Sequence, residues 1–360
     1  MNPKLIVDLK KLEHNGRFLA DLCQSHGISV AAVTKVFCAH PQMVQVLAKL
    51  PIDYFADSRL ENIMAYPKGI TQKTMLLRLP SPGQAKQVVK FCDISLNTEI
   101  FTLSKLDEAA KTLGKTHGIV IMVDLGDLRE GIFFEHMQKI RDTANFALSR
   151  KNLELVGIGT NLTCYGGVLP TAENLGKLSQ ITEDLRKQPG VYLPIISGGN
   201  SSGLYLLEKG QMPASINNLR LGEAIVCGKE TAFGQPFPGL KTDVITLHAQ
   251  IIEIQQKPSK PFGSTNINAF GEAVTFKDKG VQKRMILAVG RQDIGAGDIV
   301  CHDTGIEIIG SSSDHLIVDA TNSNQDYHIG DELTFSLSYG AILAGFTSKY
   351  VDVVVRVCSR

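Results

Sequence analysis

The sequence lacks an excess of charge of either sign. Its 360 residues include 37 Lys and Arg against 36 Asp and Glu, so the formal net charge is +1 at pH 7. Because there is no basic stripe or acidic tail, we expect neither nucleic acid nor a membrane surface as a partner. Long apolar runs are also missing: none reaches the ~18 residues of a membrane span, and the apolar part of the opening MNPKLIVDLK is too short for a signal peptide. These absences predict a soluble, cytoplasmic protein.

Paired cysteines are missing as well. The seven cysteines are scattered, with no C-x-x-C motif, at positions 23, 38, 92, 164, 227, 301 and 358. An odd, scattered set argues against a disulfide framework and against a structural zinc site, so we expect reduced thiols. Cys38 and His40 have no acidic residue nearby at ligand spacing. We therefore expect no bound metal.

Short apolar runs rich in β-branched residues recur through the first two thirds of the chain. There are eight: VAAVTK (30–35), YFADS (54–58), TMLLRLP (74–80), CDISLN (92–97), GIVIMVDL (118–125), LVGIGTNLT (155–163), LPIISGGN (193–200) and NLRLGEAIVCG (218–228). Segments between them have helical periodicity, such as PQMVQVLAKL (41–50) and LPTAENLGKLSQITEDLRK (169–187). Apolar strands alternating with helices indicate a covered parallel sheet, and eight such units predict a (β/α)8 barrel over residues 1–236. An open doubly wound sheet is the alternative.

The pattern changes after residue 236. Gly, Asp and Asn turns now separate strand-like runs with little helical pattern, namely VITLHAQIIEI (244–254), RMILAVG (284–290), GIEIIGSSSDHLIVDA (305–320) and DELTFSLS (331–338). These runs predict a C-terminal antiparallel β domain over residues 237–360. Two domains are also expected from a chain that is 43% hydrophobic and longer than the ~250–300 residues that one core usually serves.

Polar residues follow the ends of the predicted barrel strands. In such a barrel the functional side chains lie at the carboxyl ends of the strands, where residues from different strands meet. The candidates are Lys35 after the first strand, Arg129 after the fifth, Asn161 and Cys164 after the sixth, and Arg220 on the eighth. We expect them to converge on one mouth of the barrel.

The loop SGGNSSG (197–203) has the composition of a phosphate site. Its glycines leave backbone N–H groups accessible, and Ser201 and Ser202 add hydroxyl groups. With Gly222 it follows strands seven and eight, where barrels commonly bind phosphate. The alternative is a flexible turn without a ligand.

A phosphate site and a lysine at the same mouth suggest pyridoxal 5′-phosphate (PLP), bound to Lys35 as a Schiff base. Apolar neighbours of Lys35 would favour the neutral, nucleophilic amine through desolvation. Arg220 would face the pyridine nitrogen and, because it keeps its protons, leave that nitrogen unprotonated. Such a cofactor suits proton exchange at Cα. An ordinary surface ion pair is the alternative for Arg220.

Several motifs carry a family resemblance. The sequence has a lysine after the first strand, DLGDLREG (124–131) after the fifth, Asn200–Ser201 after the seventh and R-x-G (220–222) on the eighth. In this it resembles alanine racemase-type fold III PLP enzymes, over nearly the whole chain. Finer matches resemble the ornithine racemase branch of that family, in IDYFADSR (52–59), NLTCYGG (161–167) and GFTSKYV (345–351).

The resemblance implies a fold and an activity. The fold is an α/β barrel with a C-terminal antiparallel β domain, and the activity is interconversion of the L and D forms of an amino acid, ornithine first. A homodimer with active sites at the interface is implied too, because AVGRQD (288–293) and SSDHLIVD (312–319) resemble the two loops that reach the partner subunit. Alternatives are alanine racemase, a D-amino-acid aldolase or decarboxylase, and a non-catalytic PLP-binding protein.

The resemblance also implies residue roles. Lys35 would be the Schiff-base lysine and the base on one face of Cα, and Arg129 would bind or orient the substrate carboxylate. The other cofactor-binding residues would be Asn161, Asn200, Ser201, Arg220, Gly222 and Glu223. Among these, Ser201 and the backbone amides of Gly222 and Glu223 would hold the phosphate. Asn161 stands where alanine racemases usually carry a histidine against the ring.

Two departures from the family pattern concern catalysis. Arg291 stands where alanine racemases carry the tyrosine that is their second acid/base, and arginine is a poor general base because its pKa lies above ~12. Met122 replaces the family's modified lysine. The second acid/base must then be water or another residue, and the candidates are Cys164, Tyr165, Tyr339 and His315.

Substrate selectivity is expected from charge. Asp293 and Asp314 lie on the two loops that would reach the active site from the partner subunit, and carboxylates there would attract a cationic side chain such as that of ornithine or lysine. The alternative is that each aspartate caps a turn through its own backbone. Arg291, beside them, would contact the substrate or pair with one of these carboxylates.

Overall fold

The computed structural model describes residues 2–268 and 270–357. The chain forms two compact units: Lys10–Thr242 is one, and the described residues up to Leu9 form the other with those from Asp243 onward. Strand β1 (Lys4–Asp8) therefore belongs to the second unit, although the sequence prediction assigned all of 1–236 to the barrel. The boundary at 236/237 stays a prediction for the independently folding domains.

The first unit contains a closed ring of eight parallel strands. They are β2 (Ser29–Val33), β3 (Tyr54–Asp57), β4 (Lys73–Leu76), β5 (Ile94–Asn97), β6 (His117–Asp124), β8 (Leu153–Gly159), β9 (Ile195–Ser197) and β10 (Asn218–Leu221). Strand β10 pairs with β2 and β5 pairs with β6, which closes the ring; the short β7 (Ile132–Phe133) pairs with the end of β6. Each predicted apolar run overlaps one of the eight strands, so the predicted barrel is confirmed.

Helices follow the strands. They are α1 (Leu9–Ser25), α2 (Pro41–Leu47), α3 (Leu60–Met64), α4 (Ala85–Phe91), α5 (Ile100–Leu113), α6 (Met137–Leu148), α7 (Ala172–Arg186), α8 (Leu204–Glu208) and α9 (Glu223–Cys227). Helix α7 begins with a capping box, in which the Thr171 side chain accepts from the backbone N–H of Asn174 and the Asn174 side chain accepts from that of Thr171. Short 3₁₀ turns at Lys35–Phe37 and Ser201–Gly203 follow β2 and β9.

Alternation along the strands builds two apolar layers in the barrel unit. On β6, Ile119, Ile121 and Val123 pack in the layer with the helices, whereas Val120 and Met122 pack in a separate cluster with residues of other strands. The members of that inner cluster are Ala31, Val33, Ala56, Met75, Ile94, Leu96, Val120, Met122 and Ile195. The barrel interior is thus filled with side chains, and polar residues are found at the strand ends.

The second unit is built on an eight-stranded, mainly antiparallel sheet. Its other strands are β11 (Ile245–Pro258), β12 (Val281–Leu287), β13 (Ile299–Cys301), β14 (Glu307–Ser311), β15 (Leu316–Asp319), β16 (Glu332–Leu337) and β17 (Asp352–Arg356), in the order β13-β16-β11-β12-β15-β14. Strand β1 pairs antiparallel with β11 and parallel with β17. The helices are α10 (Arg291–Ile294) and α11 (Tyr339–Thr347). The predicted antiparallel β architecture is confirmed.

Membrane-spanning helices and metal-binding clusters are both absent from the described ranges. No helix there is both long and apolar enough to cross a membrane. No group of three or more His, Cys, Asp or Glu side chains in those ranges is arranged to hold a metal ion. The six cysteines that the structure describes are all free thiols, and Cys358 lies outside the described residues.

Candidate active site

Backbone strain is concentrated at one end of the barrel. Among the residues that the structure describes, the non-glycine residues with positive φ are Cys38, Ala39, Leu128 and Thr163, with φ between 47° and 56°. They lie in the loops after β2, β6 and β8. Such conformations cost roughly 1–3 kcal/mol each and are often retained at functional sites. The strain therefore points to the carboxyl ends of the strands, where the polar side chains also lie.

Lys35 is half-buried at the start of the turn that follows β2. Asp57, the last residue of β3, is fully buried and accepts hydrogen bonds from the Thr34 hydroxyl at 2.6 Å, the Arg59 amide at 2.8 Å and the Asn62 side chain at 3.1 Å. Burial raises the pKa of Asp57, and these hydrogen bonds and the charge of Lys35 offset only part of that rise. Asp57 thus anchors the residue before Lys35 and lies within range of its charge.

Arg220, on β10, is 2% exposed, and its guanidinium donates three hydrogen bonds. Its guanidinium donates to the Thr160 carbonyl at 2.8 Å, to Oδ1 of Asn161 at 2.5 Å and to the Ser197 hydroxyl. The Ser197 hydroxyl in turn donates to Oδ1 of Asn218 at 2.6 Å. Burial lowers the pKa of Arg220 to about 10, which still leaves the guanidinium protonated at neutral pH. The surface ion pair considered from the sequence does not describe this buried arginine.

Glu130 joins this network and was missed by the sequence reasoning. Its carboxylate accepts from Asn161 and from Nε and Nη2 of Arg129, the last at 2.5 Å. Burial raises the pKa of Glu130, but the hydrogen bonds and charge of Arg129 and the hydrogen bond from Asn161 more than offset this, so the pKa lies below its ordinary value. The available signal was an acidic residue directly after the arginine of the DLGDLREG motif.

The loop after β9 is held by its own polar side chains. Asn200 caps the turn at Ser201–Gly203, because its Oδ1 accepts from the Ser202 amide at 2.8 Å, and its Nδ2 donates to the Leu162 carbonyl at 3.0 Å. The Ser201 hydroxyl is buried and accepts from the Ala224 amide at 3.2 Å. Ser201 therefore connects this loop to the start of α9.

Glycines at this end of the barrel are required by geometry. Gly199 has φ +117°, in the region that L side chains rarely adopt. A Cβ on Gly222 would lie 3.0 Å from Cβ of Val33. The hydroxyl of Thr160, the residue before Asn161, is buried and has no hydrogen-bond partner among the described residues. Small residues and buried donors thus form a cradle beside the Arg220 guanidinium.

Glu223 differs from the other cradle residues in its charge. Its carboxylate accepts from the Thr231 hydroxyl at 3.3 Å. Burial raises the pKa of Glu223, and the charges of Lys229 and Lys35 oppose that rise. The side chain therefore lies within range of Lys35, while its backbone amide lies at the first position of α9.

Asp127 connects the loop after β6 to the loop after β8. It is 1% exposed and accepts from the amides of Tyr165 at 2.9 Å, Val168 at 3.1 Å and Cys164 at 3.3 Å. These bonds hold Cys164, whose sulfur also accepts from Nδ2 of Asn200 at 3.3 Å. Burial raises the pKa of the Cys164 thiol, and the positive charge of Arg129 opposes this. Tyr165 is 77% exposed.

The second unit contains the remaining predicted residues. Arg291 forms a bidentate ion pair with Glu272, with N–O distances of 2.9 and 3.0 Å, and lies 4.1 Å from the centroid of the Phe270 ring. Tyr339 is half-buried at the first position of α11, and His315 is exposed. The Arg291 pairing with an aspartate considered from the sequence is wrong, because Glu272 is its partner.

The two predicted aspartates differ in environment. Asp293 is 5% exposed and accepts from the Gly290 amide at 3.0 Å and from the Ser348 hydroxyl at 3.4 Å, so it has the contacts of a capping residue. Asp314 is exposed and accepts from the Gln292 side chain at 2.8 Å. The two loops are in contact, because the backbone N–H of Gln292 donates to the backbone carbonyl of Ser313 at 3.1 Å.

The barrel unit brings most of the predicted site residues to the ends of its strands. Those residues are Lys35, Arg129, Asn161, Cys164, Asn200, Ser201, Arg220, Gly222 and Glu223. Arg291, Asp293, Asp314 and Tyr339 belong to the second unit. The donor set in the barrel fits a phosphorylated pyridine cofactor: amides and a serine hydroxyl for a phosphate, a buried guanidinium for a ring nitrogen, and a lysine for an aldehyde.

Comparison with known proteins gives the family. Residues 7–230 match the model described as alanine racemase, N-terminal domain. The chain belongs to this family. It is 46% identical over 352 residues to the ornithine racemase of Acetoanaerobium sticklandii, covering 98% of this chain and 99% of that protein. It is 36% identical over 353 residues to the lysine racemase of Thermotoga maritima, covering 98% of each. The predicted family is confirmed.

Solved structures of this family share the fold. The alanine racemase of Streptomyces coelicolor A3(2) superposes with a TM-score of 0.77 at 16% identity, covering 98% of each chain. The alanine racemase of Bartonella henselae, solved with covalently bound pyridoxal phosphate, superposes with a TM-score of 0.73 at 16% identity, covering 99% of this chain and all of that one. This protein thus has the barrel and β-sheet architecture of the solved alanine racemases.

Proposed function

We propose that this protein is a PLP-dependent racemase that interconverts the L and D forms of ornithine. The observation that carries the proposal is the 46% identity, over 98% of the chain, to an ornithine racemase. The Lys35, Arg220 and Ser201 arrangement supports the cofactor. Lysine is the second candidate substrate, because the lysine racemase is 36% identical over the same share of the chain.

Lys35 is proposed to bind the cofactor covalently and to remove or return the Cα proton on one face. When bound, PLP would supply the electron sink that weakens the bond between Cα and its proton. Asp57 supports this role, because its charge and its hold on Thr34 fix the turn that carries Lys35.

The phosphate is proposed to lie between the loop after β9 and the start of α9. Ser201 and the backbone amides of Gly222 and Glu223 would hold it, and Asn200 would keep the loop in place. The close packing of Gly222 against Val33 supports this assignment, because it brings the end of β10 against β2 with no side chain in between.

Arg220 is proposed to donate to the pyridine nitrogen, with Asn161 beside the ring. Because the guanidinium stays protonated, that nitrogen would stay unprotonated. Arg129, whose side chain is 41% exposed, is proposed to bind the substrate carboxylate. Glu130 accepts from Nε and Nη2 of Arg129, and Nη1 is not part of that pair, so a donor of the guanidinium is left for a carboxylate.

Cys164 is proposed as the second acid/base, on the other face of Cα. Its thiol lies within range of the charges of Arg129 and Lys35, and its raised pKa keeps it protonated at neutral pH, as an acid that delivers a proton requires. Tyr339 is the alternative, from the second unit.

Asp314 is proposed to attract the cationic side chain of the substrate, since it is exposed. Asp293 is buried, so its proposed role is to hold the loop that carries Arg291 and, through that loop, the substrate surface. This arrangement requires a homodimer with active sites at the interface, which we propose from the family. A cytoplasmic location is proposed too, since the six described cysteines are free thiols.

The test is incubation of the purified holoenzyme with L-ornithine in D₂O, followed by chiral chromatography and mass spectrometry. We expect D-ornithine with deuterium at Cα, and no other product. Lys35→Ala should lose the visible absorption band of the bound cofactor and the racemisation. New products would indicate an aldolase or a decarboxylase, and a band without any exchange would indicate a non-catalytic PLP-binding protein.

A further inference from the structure

Glu130 lies between Arg129 and Asn161 in the candidate site. Its side chain is 16% exposed and accepts a bidentate hydrogen bond from Arg129 on one side and a hydrogen bond from Nδ2 of Asn161 on the other. The residue is on the loop after β6, whereas Asn161 follows β8. One carboxylate therefore connects two strand ends of the barrel.

Asn161 continues the network to the opposite side. Its Oδ1 accepts from Arg220 at 2.5 Å while its Nδ2 donates to Glu130, so a cation on one side and an anion on the other fix the orientation of the amide. Arg220 then donates to Ser197, and Ser197 donates to Asn218 at 2.6 Å. The result is one continuous hydrogen-bonded chain from Arg129 to β10.

The charges of Arg129, Glu130 and Arg220 favour the same hydrogen-bonded arrangement. Two guanidinium groups and one carboxylate are connected through a single amide, and Glu130 favours the charged form of Arg220 while Arg129 disfavours it. The hydrogen bonds from Arg129 and Asn161 more than offset the burial of Glu130 and keep its pKa low. The carboxylate is thus ionised at neutral pH and offsets the repulsion between the arginines.

We propose that Glu130 is a positioning residue that orients Arg129 directly and Arg220 through Asn161. The inference rests on the proposed function, in which one arginine binds the substrate carboxylate and the other meets the cofactor ring. In this proposal Glu130 acts on substrate and cofactor through Arg129 and Asn161, the residues it contacts. Its effect is to make substrate binding and cofactor environment depend on one hydrogen-bonded unit.

The matched variants are Glu130→Gln, Glu130→Asp and Asn161→Ala. Glutamine keeps an oxygen that can accept from Asn161 but loses the charge that holds Arg129, whereas aspartate keeps the charge. Glu135→Gln is the control, because Glu135 is the same residue type, lies between β7 and α6, and is exposed. The readouts are kcat and KM for ornithine, the visible absorption spectrum of the bound cofactor as a function of pH, and the thermal unfolding midpoint.

We expect Glu130→Gln to raise KM roughly tenfold or more, since it removes a charge-assisted hydrogen bond, and to lower kcat less. The pH dependence of the cofactor spectrum should shift in Glu130→Gln and in Asn161→Ala. The double variant should show less than the sum of the two single effects, because both break one chain. Glu130→Asp should recover most of the KM, and Glu135→Gln should match the wild type.

Three outcomes would overturn the inference. The first is a Glu130→Gln enzyme with wild-type KM and spectrum and only a lower unfolding midpoint, which is the behaviour of a purely structural ion pair. The second is full additivity with Asn161→Ala. The third is a wild-type holoenzyme with no racemisation, which would remove the proposed function as well. The wild-type assay alone distinguishes this outcome from the first two. If Glu130→Gln does not fold, Glu130→Asp and Asn161→Ala decide the question through the cofactor spectrum.

Discussion

Gly222 packs so closely against Val33 that a Cβ at position 222 would lie 3.0 Å from Cβ and 3.2 Å from the carbonyl oxygen of Val33. Both residues are buried; Val33 ends β2, and Gly222 directly follows the adjacent parallel strand β10. Gly222→Ala should therefore push β10 away from β2 and disturb the proposed phosphate site. We expect it to destabilise the protein by about 1–3 kcal/mol, as overpacking does, and to weaken PLP binding. Urea unfolding and titration of the apoprotein with PLP measure the two effects.

Gly176 is the matched control for this substitution. It lies in α7, and a Cβ there would meet no atom within 4 Å. Alanine favours a helix over glycine by about 1 kcal/mol, so Gly176→Ala should be neutral or stabilising and should leave PLP binding unchanged. Equal PLP affinity in the two variants would mean that the end of β10 does not contribute to the cofactor site.

Cys164→Ala should leave proton exchange on one face of Cα and abolish proton delivery to the other face. Lys35 would still remove and return the proton on its own face, so one enantiomer of ornithine should still exchange its Cα proton with D₂O. Delivery of a proton to the opposite face should fail, and racemisation should fall by at least ~100-fold, the usual size of a lost general acid or base. NMR of the Cα proton for each enantiomer and chiral chromatography give the two rates.

Tyr339→Phe is the parallel variant, because it removes only the hydroxyl of the other candidate. If Tyr339→Phe separates exchange from racemisation and Cys164→Ala does not, the tyrosine is the second acid/base. Rapid racemisation in both variants would point to water in that role.

The architecture could be read from local pattern, but part of the pairing could not. Apolar runs and helical periodicity are local, and the eight predicted barrel runs each overlap a strand. Strand β1 was missed because its sheet position depends on a distant partner: Lys4 pairs with Asp352 in parallel register. A five-residue strand such as KLIVD could have this composition in either unit, so composition alone could not assign it.

Site residues could be predicted from the sequence where the residue type itself indicates the chemistry. They could not be predicted where their role depends on contacts with residues distant in sequence. Lys35 and Arg220 carry chemistry that few other side chains provide. Glu130 and Asp127 are ordinary acidic residues in a loop. Asn161, which donates to Glu130, and Tyr165, which donates to Asp127, lie more than thirty positions away. Asp293 and Asp314 have the same residue type, and only the structure distinguishes the buried carboxylate from the exposed one.

Asp314→Asn and Asp293→Ala should fail in different ways. Asp314 is exposed, so its neutral variant should keep the stability of the wild type but raise KM for ornithine much more than for alanine, which has no charged side chain. Asp293→Ala should instead lower the free energy of unfolding by about 1–2 kcal/mol, because it removes a buried cap. Steady-state kinetics with both amino acids and urea unfolding distinguish these results. Equal KM effects of Asp314→Asn on ornithine and alanine would contradict the charge-recognition role.

His117 makes a prediction about acid stability. It is the first residue of β6, is 1% exposed, and shares a hydrogen bond of 2.8 Å between its Nε2 and the Ser95 hydroxyl. Its Nδ1 is buried with no hydrogen-bond partner among the described residues. Burial lowers the pKa of His117 from its ordinary 6.5 to about 4. The folded protein therefore binds a proton at this site less readily than the unfolded chain.

Because the folded pKa is depressed, the stability linked to His117 is present above pH 6.5 and declines as the pH falls toward 4. Between pH 7 and pH 5 the loss should be on the order of 2 kcal/mol, from 1.36 kcal/mol for each unit below the ordinary pKa. His117→Gln can keep a hydrogen bond to Ser95 but cannot take up a proton, so its free energy of unfolding should vary less with pH by about that amount. Urea unfolding at pH 7 and pH 5 measures the difference, with His328→Gln as the control because the His328 side chain is 74% exposed. An identical pH dependence in wild type and His117→Gln would show that other groups cause the acid lability.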